Sequence, residues 1–260
     1  MLAFKLLRRF GFKNGLSHLA NINKFAIRKH GICCSYNYYS VIHTRFCMIN
    51  FIPIFPLNIV VYPGEQLNLH IFEERYKQLV NECFAEKKPF GIPAVIDNHV
   101  KELGTLVQIR EIAEVYEDGR MDIRTDGIRM FKILEIIHSV PNKLYDGAIV
   151  NYPGTIDEKN IKMMRRIIGG IRELHRLLKV TKDFKKKDDE LVSYDIAHHA
   201  GLSLQEEYEL LELLQEDQRL EYLKRHLNKI IPIAGGIDKL KEKIQLNGQF
   251  RELKGFNLDL

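Results

Sequence analysis

FIPIFPLNIVVYPGEQLNLHIFEERY, residues 51–76, contains the ingredients of a strand, a turn and a helix start in one short segment. Ile52, Ile54 and the run from Leu57 to Tyr62 supply strand material, with Pro53 and Pro56 at positions that suit an edge or a strand's first residue. Pro63-Gly64 stops the extended run. From Ile71 the spacing predicts a helix, because Phe72, Tyr76, Leu79, Val80 and Cys83 share one face, while Glu73 and Lys77 are placed to pair on the other.

Downstream, Phe90 to Ile96 reads as a strand ending in the polar turn Asp97-Asn98-His99. Residues 104–136 read as a β-meander, with Val107, Ile109, Ala113 and Val115 in one run, a hairpin turn at Glu117-Asp118-Gly119-Arg120, and Met121 and Ile123 on the return. Asp126-Gly127 signals a further turn, after which a new strand starts at Met130. An isolated hairpin is only marginally stable, so these strands must close on one another and on the first helix as a small twisted barrel-like sheet.

From about Ile156 the period becomes helical. Ile161, Met164, Ile167, Ile168, Ile171, Leu174, Leu177 and Leu178 form a stripe, interrupted by Gly169-Gly170 as a weak point or close-packing site. Lys182 to Glu190 mixes four Lys with four acids and suits a solvated connection. Two helices follow, over Ser193 to Ala200 and Ser203 to Gln215, the second opened by Ser203 with Glu206 three positions on, a capping box. Arg219 to Ile231 continues helically until Pro232, and residues 232–260 suit a short amphipathic helix and a tail. The fold class is α+β: a basic arm at 1–47, a β-rich lobe at 48–150, a helical bundle lobe at 151–231 and a tail.

Charge divides the chain in the same way. Residues 1–47 hold eight Lys and Arg and no acid, leaving 31 basic against 34 acidic residues in the remainder. That body has no basic excess to offer a nucleic acid. Cys33, Cys34 and Cys47 lie in the arm and Cys83 alone in the body, so no disulfide framework forms there, which suits a reducing cytoplasm. Cys83 lies on the apolar face of its helix, where packing is the expected use. Nothing approaches the roughly 18 consecutive apolar residues of a membrane span. The arm has three readings: a mitochondrial transit peptide, a working basic tail, or a misplaced start ahead of Met48, the last favoured by the abrupt change of composition there.

The ordered set Phe55-Pro56-Leu57, Tyr62-Pro63-Gly64, Leu69-His70-Ile71-Phe72-Glu73 and Arg75-Tyr76 resembles the amino-terminal, substrate-binding domain of Lon proteases. Phe90-Gly91-Ile92, Gly104-Thr105 and Asp126-Gly127-Ile128-Arg129-Met130-Phe131 follow in that family's order, and the helices from Leu202 to Leu220 resemble its second half. The likeness spans about residues 51–231 and implies a PUA-like β-lobe joined to a helical lobe. It also implies a surface for unfolded or degron-bearing polypeptide, working with a separate protease. Being a subunit or regulator of an ATP-dependent peptidase complex, or an RNA-binding PUA-like module, are the alternatives; the acidic body opposes RNA. The signature residues Phe55, Pro56, Leu57, Pro63, Gly64, His70, Phe72, Glu73, Arg75, Tyr76, Gly104, Gly127, Arg129 and Phe131 are mainly turn and core types, and Tyr62, Phe72 and Tyr76 are the candidates for peptide contact, though core packing is the commoner use of each.

Enzymatic machinery is missing from the sequence. There is no phosphate-binding loop, and Ala234-Gly235-Gly236 lacks the lysine and hydroxyl that would grip nucleotide phosphate and magnesium. Ser139, Ser193 and Ser203 are the body's serines; none sits in a nucleophile elbow, and Ser203 is better used as a helix cap. Adjacent His198 and His199 point to different helix faces, a poor metal-ligand spacing, and His70 suits a structural hydrogen bond. No metal or other cofactor is expected, and no zinc-binding extension built on Cys pairs accompanies the body. The expected setting is cytoplasmic, or mitochondrial if the arm is a transit peptide.

Overall fold

Two hairpins govern the first half of the chain. In the computed structural model, which describes residues 50–156, 158–236 and Ile244, strand β1 (Asn50–Pro53) is followed by β2 (Gln66–Ile71), helix α1 (Glu74–Glu86), β3 (Phe90–Ile96), β4 (His99–Val115), β5 (Met121–Ile137) and β6 (Gly147–Asn151). Asp97 and Asn98, both at positive φ, make the two-residue turn that brings Ile96 opposite His99. Gly119 at φ +78° closes the second hairpin, where Tyr116 N–H donates to the Arg120 carbonyl and Asp118 accepts from Arg120 N–H.

All ladders are antiparallel, in the order β1-β6-β5-β4-β3, with β2 added to the first half of β5. The sheet then rolls shut. After β1 the chain runs beside β3, with Phe55 N–H on the Gly91 carbonyl at 2.8 Å and Val95 N–H on the Leu57 carbonyl at 2.8 Å. This is the twisted barrel-like lobe. Inside it Phe55, Leu57, Leu67, Leu69, Phe90 and Ile123 meet Tyr76, Leu79, Val80 and Cys83 of α1, so the helix plugs the barrel. Leu79 and Val80 are fully buried, each stabilising by about 1.5–3 kcal/mol.

Four expectations are corrected here. Leu57 to Tyr62 forms no ladder: Leu57 makes an isolated bridge to Ala94 and the chain bends at Asn58 and Ile59. The run threads between two cores, turning Leu57, Ile59 and Val61 into the barrel and Val60 and Tyr62 toward the helices, with the β3 backbone partnering Leu57 and the Thr105 hydroxyl donating to the Val61 carbonyl. Residues 66–71 are a strand, its buried Leu67, Leu69 and Ile71 alternating with Gln66, Asn68 and His70, and the helix starts only at Glu74. Glu73 pairs with Arg75 and Lys77 with Glu74, rather than with each other. Finally, Asp126-Gly127 is no turn. β5 runs through it with a bulge, Leu106 facing Arg129 and Val107 facing Gly127, which leaves Ile128 unpaired.

The second half is helical: α2 (Ile161–Leu178), α3 (Ser193–Ala197), α4 (Leu204–Glu212), α5 (Glu216–Ile230) and a closing 3-10 turn, Ile231–Gly236, which carries the chain past Pro232. Asn160 caps α2 by accepting from Met163 N–H. On α4, Ser203 accepts from Glu206 N–H while Glu206 accepts from Ser203 N–H, the reciprocal box read from the sequence. Gly170 lets α2 approach α5 closely, since a Cβ there would lie 3.2 Å from Leu227 Cδ1. The helical core takes in Val60, Tyr62, Ala94, Ile96, Leu103 and Met130 from the β-lobe, so this one core is built by both lobes, beside the barrel's own. The basic arm and most of the expected tail helix lie outside the described residues.

Candidate functional site

A cluster of buried charges lies at the junction of the lobes. Pro63-Gly64, with Gly64 at φ +83°, turns the extended run back on itself, and its backbone docks on the β5 bulge: Gly64 N–H donates to the Gly127 carbonyl and Gly127 N–H to the Glu65 carbonyl. A Cβ on Gly127 would lie 2.5 Å from the Tyr62 carbonyl oxygen, so this contact needs glycine. The turn delivers Glu65 to the helical lobe. There His198, just after α3, stands between two carboxylates, Nε2 at 3.2 Å from Glu65 Oε2 and Nδ1 at 2.8 Å from Glu207 Oε1. Burial alone would push the His198 imidazole down, but the Glu65 and Glu207 carboxylates push it up to about 10. It is therefore a cation at neutral pH, donating from both ring nitrogens. Burial alone would raise Glu65, yet the His198 cation and the Tyr62 N–H hold its carboxyl below the usual range. Tyr62 completes the clamp, its hydroxyl donating to the Glu207 carbonyl at 3.0 Å and its ring stacked 5.0 Å from Tyr194.

A second buried cluster braces α5. Arg219, 1% exposed, donates to Glu216 and Ser193 and to the Leu213 carbonyl, and its guanidinium lies 4.4 Å from the Tyr194 ring centroid. The Ser193 hydroxyl donates to Glu216 at 2.6 Å and is fully buried. It is a structural link, out of reach of a substrate. Next door, His199 faces Phe184 and His175 rather than His198's partners; burial, then the Lys182, His175 and His198 charges, push it down to about 3. Among the described residues no three His, Cys, Asp or Glu converge to hold a metal ion. Cys83 is buried, and burial with the nearby Glu82 pushes its thiol up to about 12, which makes it inert packing.

Beside the clamp a cleft of about 310 Å³ opens between Pro63, Ile128, Met130, Pro153, Val192 and Tyr194, with Arg219 in its lining and Arg129 on its wall. Ile128, released from the ladder by the bulge, is 46% exposed. Arg129 lies 3.7 Å over the Tyr152 ring. The clamp thus holds rigid the two segments whose outer sides form this concavity.

The residues singled out in the sequence fall into distinct groups. Tyr62 and Tyr76, 0% and 3% exposed, are buried, Tyr62 between the lobes and Tyr76 stacked 3.9 Å from Phe55, so neither presents a surface to a peptide. This corrects their candidacy. Phe72 is half-buried on the link from β2 to α1 and does not line the cleft. Phe55, Leu57 and Phe131 are core, Pro56 is buried beside them, and Gly104 meets the β3 backbone at Ile92 and Pro93. His70 contacts Asp122 at 2.6 Å, and Glu73 pairs with Arg75. Only Pro63, Gly64 and Arg129 of the signature reach the cleft. Glu65, His198, Glu207, Ile128, Tyr194 and Arg219 were not identified as site residues from sequence. The signal available for Ile128 was its place beside a glycine in a long strand, where a bulge exposes a side chain.

The family model described as the ATP-dependent protease La (LON) substrate-binding domain matches residues 52–229. Among solved structures, a Lon N-terminal domain protein from Xanthomonas campestris is similar at 27% identity and a TM-score of 0.52, over 68% of this chain and 98% of that one. The N-terminal domain of Mycobacterium avium complex Lon protease is similar in fold, at 13% identity and a TM-score of 0.50, over 69% and 98% of the two chains. Among curated proteins none matches.

Proposed function

The chain belongs to the family of Lon substrate-binding domains, and from that premise we propose that it is a recognition module without chemistry of its own, which takes extended segments of unfolded or damaged polypeptide at the interlobe cleft and holds them for a separate protease. The exposed Ile128 beside an apolar concavity is the observation that carries the placement. Burying one large apolar side chain contributes about 1.5–3 kcal/mol. Micromolar affinity requires about 8 kcal/mol, so one pocket cannot supply it alone. Ile156 and Leu214, joined by a backbone hydrogen bond and 53% and 38% exposed, continue the apolar surface one residue beyond Thr155 of the cleft. An extended chain lying along all three gains enough contact, while a native protein, whose exposed apolar residues are scattered and held in folded segments, offers no such run. The buried Ser193 and the capping Ser203 support a role without catalysis.

Fluorescence binding of the full chain to reduced, carboxymethylated lactalbumin tests this. Micromolar affinity is expected for the unfolded form and none for native lactalbumin, with at least about a tenfold loss in Ile128→Asp, since a charge in an apolar contact must be desolvated. Equal binding of both forms, or an Ile128→Asp protein that binds undiminished, overturns the reading.

A further inference from the structure

We propose that the cleft selects an apolar residue lying next to a carboxylate, with Arg129 as the group that reads the carboxylate; this rests on the cleft being the polypeptide site. The two cations of the cleft differ. Arg219 is buried and neutralised by Glu216 at 2.8 Å. Arg129 is exposed, lies on the wall, and among the described residues pairs with no acid; the contact it makes is the face of the Tyr152 ring, 3.7 Å from its guanidinium carbon. Stacking engages a guanidinium's flat face and leaves its N–H edge available, the geometry in which arginine binds carboxylate through two parallel hydrogen bonds. The ring also limits the rotamers Arg129 can visit, so less freedom is lost when an anion arrives.

Size and composition define the other half of the ligand. At about 310 Å³ the cleft is at the small end of ligand sites and takes side chains of an extended segment, not a helix some 10–12 Å across. Pro63, Ile128, Pro153 and Val192 give an apolar side chain of that segment an apolar wall in the same cleft as Arg129, Ile128 being the arginine's neighbour in sequence. Although residues 48–150 carry 15 acids against 11 bases, charges more than about 8 Å away are screened at physiological salt, so the local cation governs the contact. The carboxylate can come from the end of a chain or from an aspartate or glutamate side chain; the chemistry is the same.

Fluorescence anisotropy of the full chain with three labelled peptides distinguishes the sources: Ser-Gly-Ser-Gly-Ala-Val-Leu as free acid, the same peptide as its amide, and the amide with one Asp added after Leu. The free acid is expected to bind about tenfold more tightly than the amide, as one charge-assisted bidentate contact provides. Arg129→Gln should bring the free acid to the level of the amide, and Ile128→Ser should weaken all three together. If the Asp peptide matches the free acid, side-chain carboxylates are read as well; if it matches the amide, the site reads chain ends. Equal binding of acid and amide, or discrimination that survives Arg129→Gln, overturns the inference. Unfolded lactalbumin binding, measured alongside, reports separately: retained without acid-amide discrimination, it leaves the recognition role standing and removes this selectivity alone.

Discussion

At the scale of single residues, His198 holds one positive charge against two largely buried carboxylates, and its removal has a definite cost. His198→Gln leaves Glu65 and Glu207 without a cation between them, a change expected to destabilise the fold by about 3–5 kcal/mol in urea unfolding. The pH dependence has a fixed sign. His198 titrates at about 10 when folded and near 6.5 when unfolded, so between these values the folded state keeps a proton the unfolded chain has lost. Its stabilisation is complete below about pH 6.5 and falls away as pH rises through about 10. The wild-type urea midpoint should therefore decline from pH 7 to 9, with a shallower decline in His198→Gln. His199, driven down to about 3, contributes in the opposite direction and loses its stabilisation as pH falls below about 6.5. Adjacency in sequence foretold that the two rings diverge. It could not foretell their opposite protonation, because Glu65 lies 133 positions from His198.

At the scale of elements, the docking of the Pro63-Gly64 turn on the bulge of β5 shapes the cleft. Gly127→Ala puts a methyl group 2.5 Å from the Tyr62 carbonyl, which must move; a loss of about 1–3 kcal/mol in thermal unfolding is expected, with weakened client binding. Unchanged stability would mean that the turn is not held there. The hairpin turn between β4 and β5, the apolar face of α1, the stripe of α2 and the capped start of α4 were legible in sequence, because each displays its turn residues, its period or its cap locally. The run Leu57 to Tyr62 misled as a strand because it is apolar on both sides for a tertiary reason: it separates two cores. The strand 66–71 was hidden by the helix that follows it, although Leu67, Leu69 and Ile71 alternate cleanly. Asp126-Gly127 carries the residues of a turn, and only the register with β4 shows that they make a bulge.

At the scale of the molecule, the helical core that includes Tyr62, Ile96, Leu103 and Met130 makes the lobes interdependent. Far-UV and near-UV circular dichroism should give coincident urea transitions; a helical transition separate from loss of tyrosine asymmetry would contradict a shared core. The domain's architecture was legible through its ordered turn and core residues, but the cleft was not, since Pro63, Ile128, Pro153 and Val192 come from four segments brought together by folding. Of the sequence candidates, Tyr62 backs that surface from inside, stacked on Tyr194, while Tyr76 belongs to the barrel core. Recognition of unfolded polypeptide at the interlobe cleft is most directly tested by hydrogen exchange on the full chain with and without saturating carboxymethylated lactalbumin. Slowed exchange concentrated at residues 64–65, 128–130, 154–156 and 192–194 is the expected result. Protection confined to other surfaces, with these segments exchanging as in the free protein, would contradict it.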